Sequence, residues 1–463
     1  MQPKTDYSVI RACFLPAIMA VAPASVLAGG YGLNEQGASA SGVANAGAAA
    51  NPENASTVYF NPAGMTELEG TNLSFGAAVL DITGDFDGDG FRDDGSPVFG
   101  GDGGDFVPTA VVPNLYMTHE VNDTVSVGLG VNAPYGLSAD YDDDFEGRFF
   151  ADETELQVLS VSPSFAATSN DGFFSLGASV NVLYGKGTLS KFQDFRSISP
   201  AFQDGYFEVE GDDVAVTYTL GMQFKPAETT RFGIVYRTAT ELKLEGDARL
   251  TNAPIFGPGG TPTGMTKTLT ENARVTLEIP EQLNFAVSHQ VVDDVTLLAS
   301  ATWTRWSRFE SLDVVSTQAN AGTPNETISF LGENKYGEPG VIGHVPEQWR
   351  DTWSAATGVS WQATPAVKLR AGYAFDESPI NDQYRTARVP SEDRHWLTLG
   401  GQYAHAPSGW TVDLAAGYLI IDDPTVDEQE YTYENEPTPG AARLQGEYEL
   451  DAWGAALQLS RKF

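Results

Sequence analysis

Residues Glu447–Phe463 read EYELDAWGAALQLSRKF. Trp453, Ala455, Leu457, Leu459 and Phe463 fall on one parity, with Arg461 as the exception, and Glu449, Asp451 and Gly454 punctuate the run. A period of two places successive side chains on opposite faces of an extended strand, so this stretch reads as a strand with one apolar face. Working outward from it, the same texture recurs back to Asn72. Alternating segments are separated by Gly, Asp, Asn and Pro clusters: Asn72–Ile82, Phe106–His119, Val125–Pro134, Glu155–Ala167, Phe173–Lys186, Val214–Phe224, Arg231–Leu250, Val275–Gln290, Val295–Leu312, Thr352–Gln362, Val367–Phe375, Trp396–Ala404, Trp410–Ile421 and Glu447–Phe463. That makes roughly fourteen strands, an even number as single-chain bacterial barrels require. No helical period interrupts them, which argues against a parallel α/β sheet. A soluble β-sandwich or propeller is the remaining all-β alternative, and no blade-length repeat supports it.

Composition points the same way. Hydrophobic residues are 41%, aromatics 11%, and Gly numbers 48, while mean hydropathy is −0.21. A helical membrane protein needs apolar runs of roughly 18 residues or more, and these values exclude it. A membrane barrel alternates apolar and polar residues and averages out. The net charge is −36, from 62 acidic and 26 basic residues. Nucleic-acid binding is excluded on that ground, because phosphate contact needs Lys and Arg.

Residues 1–28 read as an export signal. Lys4 and Arg11 supply the positive region, Ala12–Leu27 a short apolar stretch broken by Pro16 and Pro23, and Val26-Leu27-Ala28 a small-residue cleavage site. Cys13, the one cysteine, falls within it, so a mature chain from about Gly29 relies on no disulfide. Together with an export signal, a terminal alternating strand ending in an aromatic residue resembles the pattern recognised by the barrel-insertion machinery. Residues 29–70 are rich in Gly, Ala, Ser and Asn and lack alternation. Such a segment buries too little to fold alone, and reads as a tail or as a hatch held inside something larger. The expected architecture is therefore all-β: a transmembrane antiparallel β-barrel over residues 71–463 with an N-terminal hatch in its lumen.

The ordered motifs Gly30-Tyr31-Gly32-Leu33-Asn34-Glu35, Asn61-Pro62-Ala63, Asn132-Ala133-Pro134-Tyr135-Gly136-Leu137, Ile279-Pro280-Glu281, Trp303 to Phe309 and Gly372 to Trp396 span more than 350 residues. In that order they resemble the FadL family of outer-membrane long-chain fatty-acid transporters, which includes relatives admitting aromatic hydrocarbons. The resemblance implies a fourteen-stranded barrel closed by a hatch, external capture of a long-chain fatty acid or other hydrophobic small molecule, an internal apolar pocket, and passive lateral release at a kink in the third strand. It implies an outer-membrane location in a Gram-negative cell, contact with membrane lipid and lipopolysaccharide, and function as a monomer. Two alternatives stand beside fatty-acid uptake: an aromatic-hydrocarbon or alkane channel of the same fold, and a surface adhesion or phage-receptor barrel.

On that resemblance Asn61, Pro62 and Ala63 stiffen the hatch, and Tyr31 reaches from its N-terminus toward the pocket. Pro134, Tyr135 and Gly136 mark the kink, since proline cannot donate to a sheet ladder. Asp376 faces the hatch terminus, and Arg385 and Arg394, with Asp393, form a lumenal charge network. Lys186 and Lys191 follow the fifth strand, where the family places basic residues that include a head-group contact. Phe192, Phe195 and Phe202 form an apolar capture surface. Near Val345 some relatives carry a second basic residue that this chain lacks, which leaves a neutral ligand open.

Asp85, Asp87, Asp89 and Asp93 in DFDGDGFRD have the spacing of the start of a Ca2+ loop, although the twelfth position is Ser96 rather than Glu. A possible external Ca2+ site is the one metal expectation; no other cofactor is expected. Neither a Gly-x-Ser-x-Gly elbow nor a His-Glu-x-x-His motif occurs, so enzyme chemistry is not expected.

Overall fold

A computed structural model describes residues 29–318 and 326–463; the export signal expected over residues 1–28 lies outside the described residues. The described residues form one sheet of twenty strand segments. Four wall strands are each interrupted once and two segments are short external pieces, so the wall has fourteen strands. They are β1 (Thr71–Phe91), β2 (Ala110–Asn122), β3 (Val125–Asp140), β4 (Glu153–Thr168), β5 (Phe174–Gln193), β6 (Gly205–Ala227) and β7 (Thr230–Arg237 with Thr240–Phe256). Then follow β8 (Pro262–Ile279 with Gln282–Val292), β9 (Val295–Thr304 with Ser311–Ser316), β10 (Val341–Pro346 with Thr352–Thr364), β11 (Val367–Asp376), β12 (Arg394–His405), β13 (Trp410–Ile421) and β14 (Arg443–Lys462). Neighbours pair antiparallel, and β1 pairs with β14 in register, Phe75 opposite Leu459 and Val79 opposite Ala455. That ladder closes the sheet into a barrel.

The closing strand shows why this wall belongs in lipid. Trp453, Ala455 and Leu457 point outward and are exposed, while Gln458 and Ser460 point inward and are buried. Apolar-out and polar-in inverts the arrangement of a soluble sheet and matches a transmembrane barrel. Outward aromatics gather at two levels: Trp353, Tyr373, Tyr418 and Trp453 near one rim, and Trp361, Tyr403 and Phe463 near the other. Between them along the strands Val359, Leu399, Leu414 and Leu457 form an exposed apolar band.

Each expected strand coincides with a wall strand, but several run further. Beyond the upper aromatic level the outer face turns polar while Ile82, Phe86, Tyr448 and Leu450 point inward into the core, so the apolar face changes sides and the outward apolar pattern no longer marks the strand's end. This corrects the reading of DFDGDG. Asp85, Asp87 and Asp89 lie within β1 on its exposed outer face, beside Glu449, Glu447 and Gln445 of β14, and do not wrap a common point. Asp93 instead accepts from the Ala442 N–H at 3.0 Å. Among the described residues no group of three or more His, Cys, Asp or Glu is close enough to hold a metal ion.

Residues 29–70 sit inside the barrel as short pieces: α1 (Ala38–Ser41), α2 (Thr57–Phe60) and two 3-10 turns, Ala48–Ala50 and Pro62–Glu67. Their small side chains let backbone press on backbone. A Cβ on Gly177 would lie 2.3 Å from Ala63 N, one on Gly221 2.1 Å from Asn61 Oδ1, one on Gly233 2.1 Å from Ala49 O, and one on Gly372 2.2 Å from the Val43 carbonyl carbon. Glycines on β5, β6, β7 and β11 thus form a seat that no larger residue fits. Polar contacts lock it. Glu53 pairs with Lys368 and Arg370, and Arg370 reaches the fully buried Asp413 at 2.8 Å.

Candidate ligand-binding site

The third strand is broken where the sequence places its proline. β2 and β3 pair from Asn122 opposite Val125 up to Asn114 opposite Asn132 and no further, whereas β3 keeps its pairing to β4 up to Asp140 opposite Glu153. A register shift between Asn132 and Tyr135 accompanies the break, a bulge with one extra residue on β3. Above it, the β2-facing edge of β3 has no strand beside it in the wall.

The hatch fills that edge from inside. Leu33 N–H donates to Pro134 O at 2.9 Å and Gly136 N–H to Tyr31 O at 3.0 Å, an antiparallel bridge between Gly32 and Tyr135. Gln36 adds a clamp. Its Nε2 donates to Ala133 O at 2.7 Å, and its Oε1 accepts from Asn132 Nδ2 at 2.8 Å.

The same N-terminal segment divides two cavities. Above it lies a cavity of about 60 Å³ walled by Leu156, Leu189, Leu244, Leu277 and Trp349. Below lies one of about 190 Å³ lined by Gly32, Leu33, Glu35 and Ala48, and by Pro134 and Tyr135 of the kink. Tyr31 faces the upper cavity and is buried at the centre of an aromatic cluster, its ring 4.8 Å from Trp306, 5.7 Å from Trp349, 5.8 Å from Phe309 and 6.2 Å from Tyr135. Its hydroxyl donates to Glu278 O. Gly30 has φ 68° and lies against Trp349 and Trp306, where a side chain would collide.

The upper cavity is mainly apolar, but Glu155, Glu347 and Arg388 also line it, and of these three Glu347 and Arg388 are the buried ones. Glu347 is buried, accepts from Trp349 Nε1 at 2.8 Å, and burial pushes its carboxyl up to about 8. Arg388, in the connection between β11 and β12, is buried too. Its Nη1 donates to Thr154 Oγ1 at 2.8 Å and Glu153 O at 3.3 Å, and its Nη2 to Ser190 O at 2.8 Å.

The residues singled out in the sequence scatter more than the resemblance implies. Asn61 caps the turn at Pro62 by accepting from Ala63 N–H at 3.1 Å, and its amide donates to Ala49 O and Met222 O. Asp376 accepts from Gly29 N–H at 3.2 Å and from Arg394 Nη2 at 2.8 Å. Arg385 lies apart from that pair, bonded to Asp382, Glu392 and Thr425 O, while Asp393 accepts from Ser378 N–H. The supposed single charge network is therefore two. Lys186 lies on the outer face of β5, paired with Glu210 at 2.7 Å. Lys191 lies 3.7 Å from Glu430, which Lys335 also holds at 2.5 Å. Neither lysine lines either cavity. Phe195 and Phe202 are buried and Phe192 is partly buried against the same core, so the external surface expected of them is absent. Arg388, Glu347 and Gln36 were not read from the sequence. Arg388 had one usable signal, a lone cation between Ala387 and Val389 inside the Gly372–Trp396 motif.

Residues 19–463 match the model of a family described as outer membrane protein transport protein (OMPP1/FadL/TodX). The chain belongs to this family. An outer membrane protein of Neisseria meningitidis serogroup B is 30% identical, over 96% of this chain and 97% of its own. The long-chain fatty acid transport protein of Escherichia coli K12 is 24% identical, over 92% and 96%. Among solved structures, a Pseudomonas aeruginosa FadL homologue superimposes with TM-score 0.81 at 24% identity, covering 94% of this chain and 99% of that one. The toluene transporter TbuX of Ralstonia pickettii superimposes with TM-score 0.63 at 18% identity, covering 93% and 99%. Membership of this family places the protein in the outer membrane of a Gram-negative cell as a transport protein, not an enzyme, as its sequence led one to expect.

Proposed function

We propose that the protein takes up long-chain fatty acids or similar hydrophobic molecules passively: the ligand enters the upper cavity from outside, passes the hatch N-terminus, and leaves sideways through the break between β2 and β3. The bridge of Gly32 to Tyr135 carries this reading, because it puts the N-terminal end of the hatch on the unpaired edge of β3 beside the cavities. The glycine seat supports it from below, since backbone packed on backbone leaves little axial room. A lateral path keeps an acyl chain out of water and so avoids about 0.8 kcal/mol per CH2 of hydration cost. The relatives are named for fatty-acid and toluene transport, which favours a hydrophobic cargo.

Uptake of labelled oleate and labelled toluene by a transporter-null strain expressing this chain tests the reading. Oleate uptake above the empty strain is the expected result. Toluene uptake alone would move the protein to the hydrocarbon alternative. Uptake of neither, with the barrel confirmed in the outer membrane, would overturn transport in favour of a surface-binding role.

A further inference from the structure

Among the described residues four arginines are buried to 6% exposure or less: Arg370, Arg385, Arg388 and Arg394. Three are neutralised at close range, Arg370 by Glu53 and Asp413, Arg385 by Asp382 and Glu392, and Arg394 by Asp376. Arg388 is the exception. Among the described residues no carboxylate lies within ion-pair distance of it, and the groups it touches are the neutral oxygens of Thr154, Glu153 and Ser190. The acids that face it from neighbouring elements are committed elsewhere. Glu428 accepts from Ala387 N–H at 2.8 Å, Asp152 from Ser190 Oγ at 2.6 Å and Tyr206 hydroxyl at 2.7 Å, and Glu347 from Trp349 Nε1. Tyr141, the remaining neighbour, donates to Ala387 O.

A buried guanidinium without a carboxylate partner is costly to keep, and it binds a carboxylate through short charge-assisted hydrogen bonds. This one lines a cavity whose other walls are mainly leucine, valine and aromatic side chains. We propose that Arg388 is the head-group partner for a single-tailed carboxylate and makes the upper cavity prefer fatty acids over neutral hydrocarbons, with Glu347 donating to the second carboxylate oxygen. Lys186 faces outward and Lys191 is held at Glu430, so neither competes for this role. The inference rests on the reading that the upper cavity holds the transported molecule.

Trp349 stands in the cavity wall and reports occupancy. The test is quenching of its fluorescence, taken as the signal lost in Trp349→Phe, by brominated stearate and by brominated octadecanol in the purified barrel. Wild type should bind the acid on the order of tenfold more tightly than the alcohol, the worth of a charge-assisted hydrogen bond. Arg388→Gln should bring the acid down to the affinity of the alcohol and leave the alcohol unchanged. Equal weakening of both ligands would make Arg388 a loop prop and overturn the assignment. Should the variant fail to insert, the wild-type ranking decides: acid over alcohol over the matching amine supports Arg388, and no discrimination overturns it. Quenching by neither ligand in wild type would instead overturn the cavity reading itself.

Discussion

Glu347 is an acid kept neutral. It lies in the connection between the two parts of β10, beside Arg388 and Glu428, and burial outweighs the pull of its bond from Trp349 to leave its carboxyl at about 8. In the unfolded chain it ionises at the ordinary carboxylate pKa of about 4.3. Between those values the folded state holds one more proton than the unfolded state, so stability falls as pH rises through that window and levels off above it. Glu428, pushed to about 7 by burial, acts with the same sign. Glu347→Gln should therefore melt higher than wild type at neutral and alkaline pH, with the gap closing toward about pH 4. Melting in detergent, followed by heat-shifted gel mobility, reads this, and parallel pH curves for the two proteins would sink it. At this scale the sequence was only partly legible. Lys186 has the same parity as the exposed Val180, so the outward direction of its side chain could have been read from β5. What could not be read is that Arg388 and Glu347, 41 residues apart, meet at one cavity. That follows from two connections folding over the barrel mouth, and neither has a period.

The elements that hold the hatch are short, and its fit depends on glycines in the wall. Gly177 and Gly221 meet Ala63 and Asn61 at distances no Cβ tolerates. The double change Gly177→Val, Gly221→Val should overpack this seat, cost about 1–3 kcal/mol, and displace the Asn61–Ala63 turn. Cells carrying it should become several-fold more sensitive to a bulky polar antibiotic that the intact outer membrane excludes. Unchanged sensitivity with normal expression would mean that the turn does not seal the lumen. The strands themselves were legible because lipid demands outward apolar residues at every second position. Their upper ends were not, because above the lipid that demand lapses. The same lapse made an acidic strand, Asp85 to Asp89, look like a calcium loop. The glycine seat was invisible for a different reason: each glycine pairs with a hatch residue more than a hundred positions away, and the alternation of a strand does not single it out.

For the whole molecule, one closed sheet absorbs almost the entire chain, and its N-terminal segment is used twice. Residues 42–67 fill the lumen against the wall, while residues 31–36 pair with the broken edge of β3. A seal and a gate built from one segment predict that freezing the second part stops transport while the barrel stays intact. Gly32 and Tyr135 sit opposite each other at a site flanked by hydrogen bonds on both sides, where antiparallel Cα atoms approach to about 4.5 Å, within the reach of a disulfide. The chain has no cysteine outside its first 28 residues, so Gly32→Cys with Tyr135→Cys creates a single possible bridge. The measurement is oleate uptake by cells carrying this pair, oxidised and then reduced, with bridge formation confirmed on the same sample. Uptake that falls to the level of the transporter-null strain when oxidised and returns on reduction is the predicted result. Equal uptake with the bridge formed would contradict lateral release past the hatch.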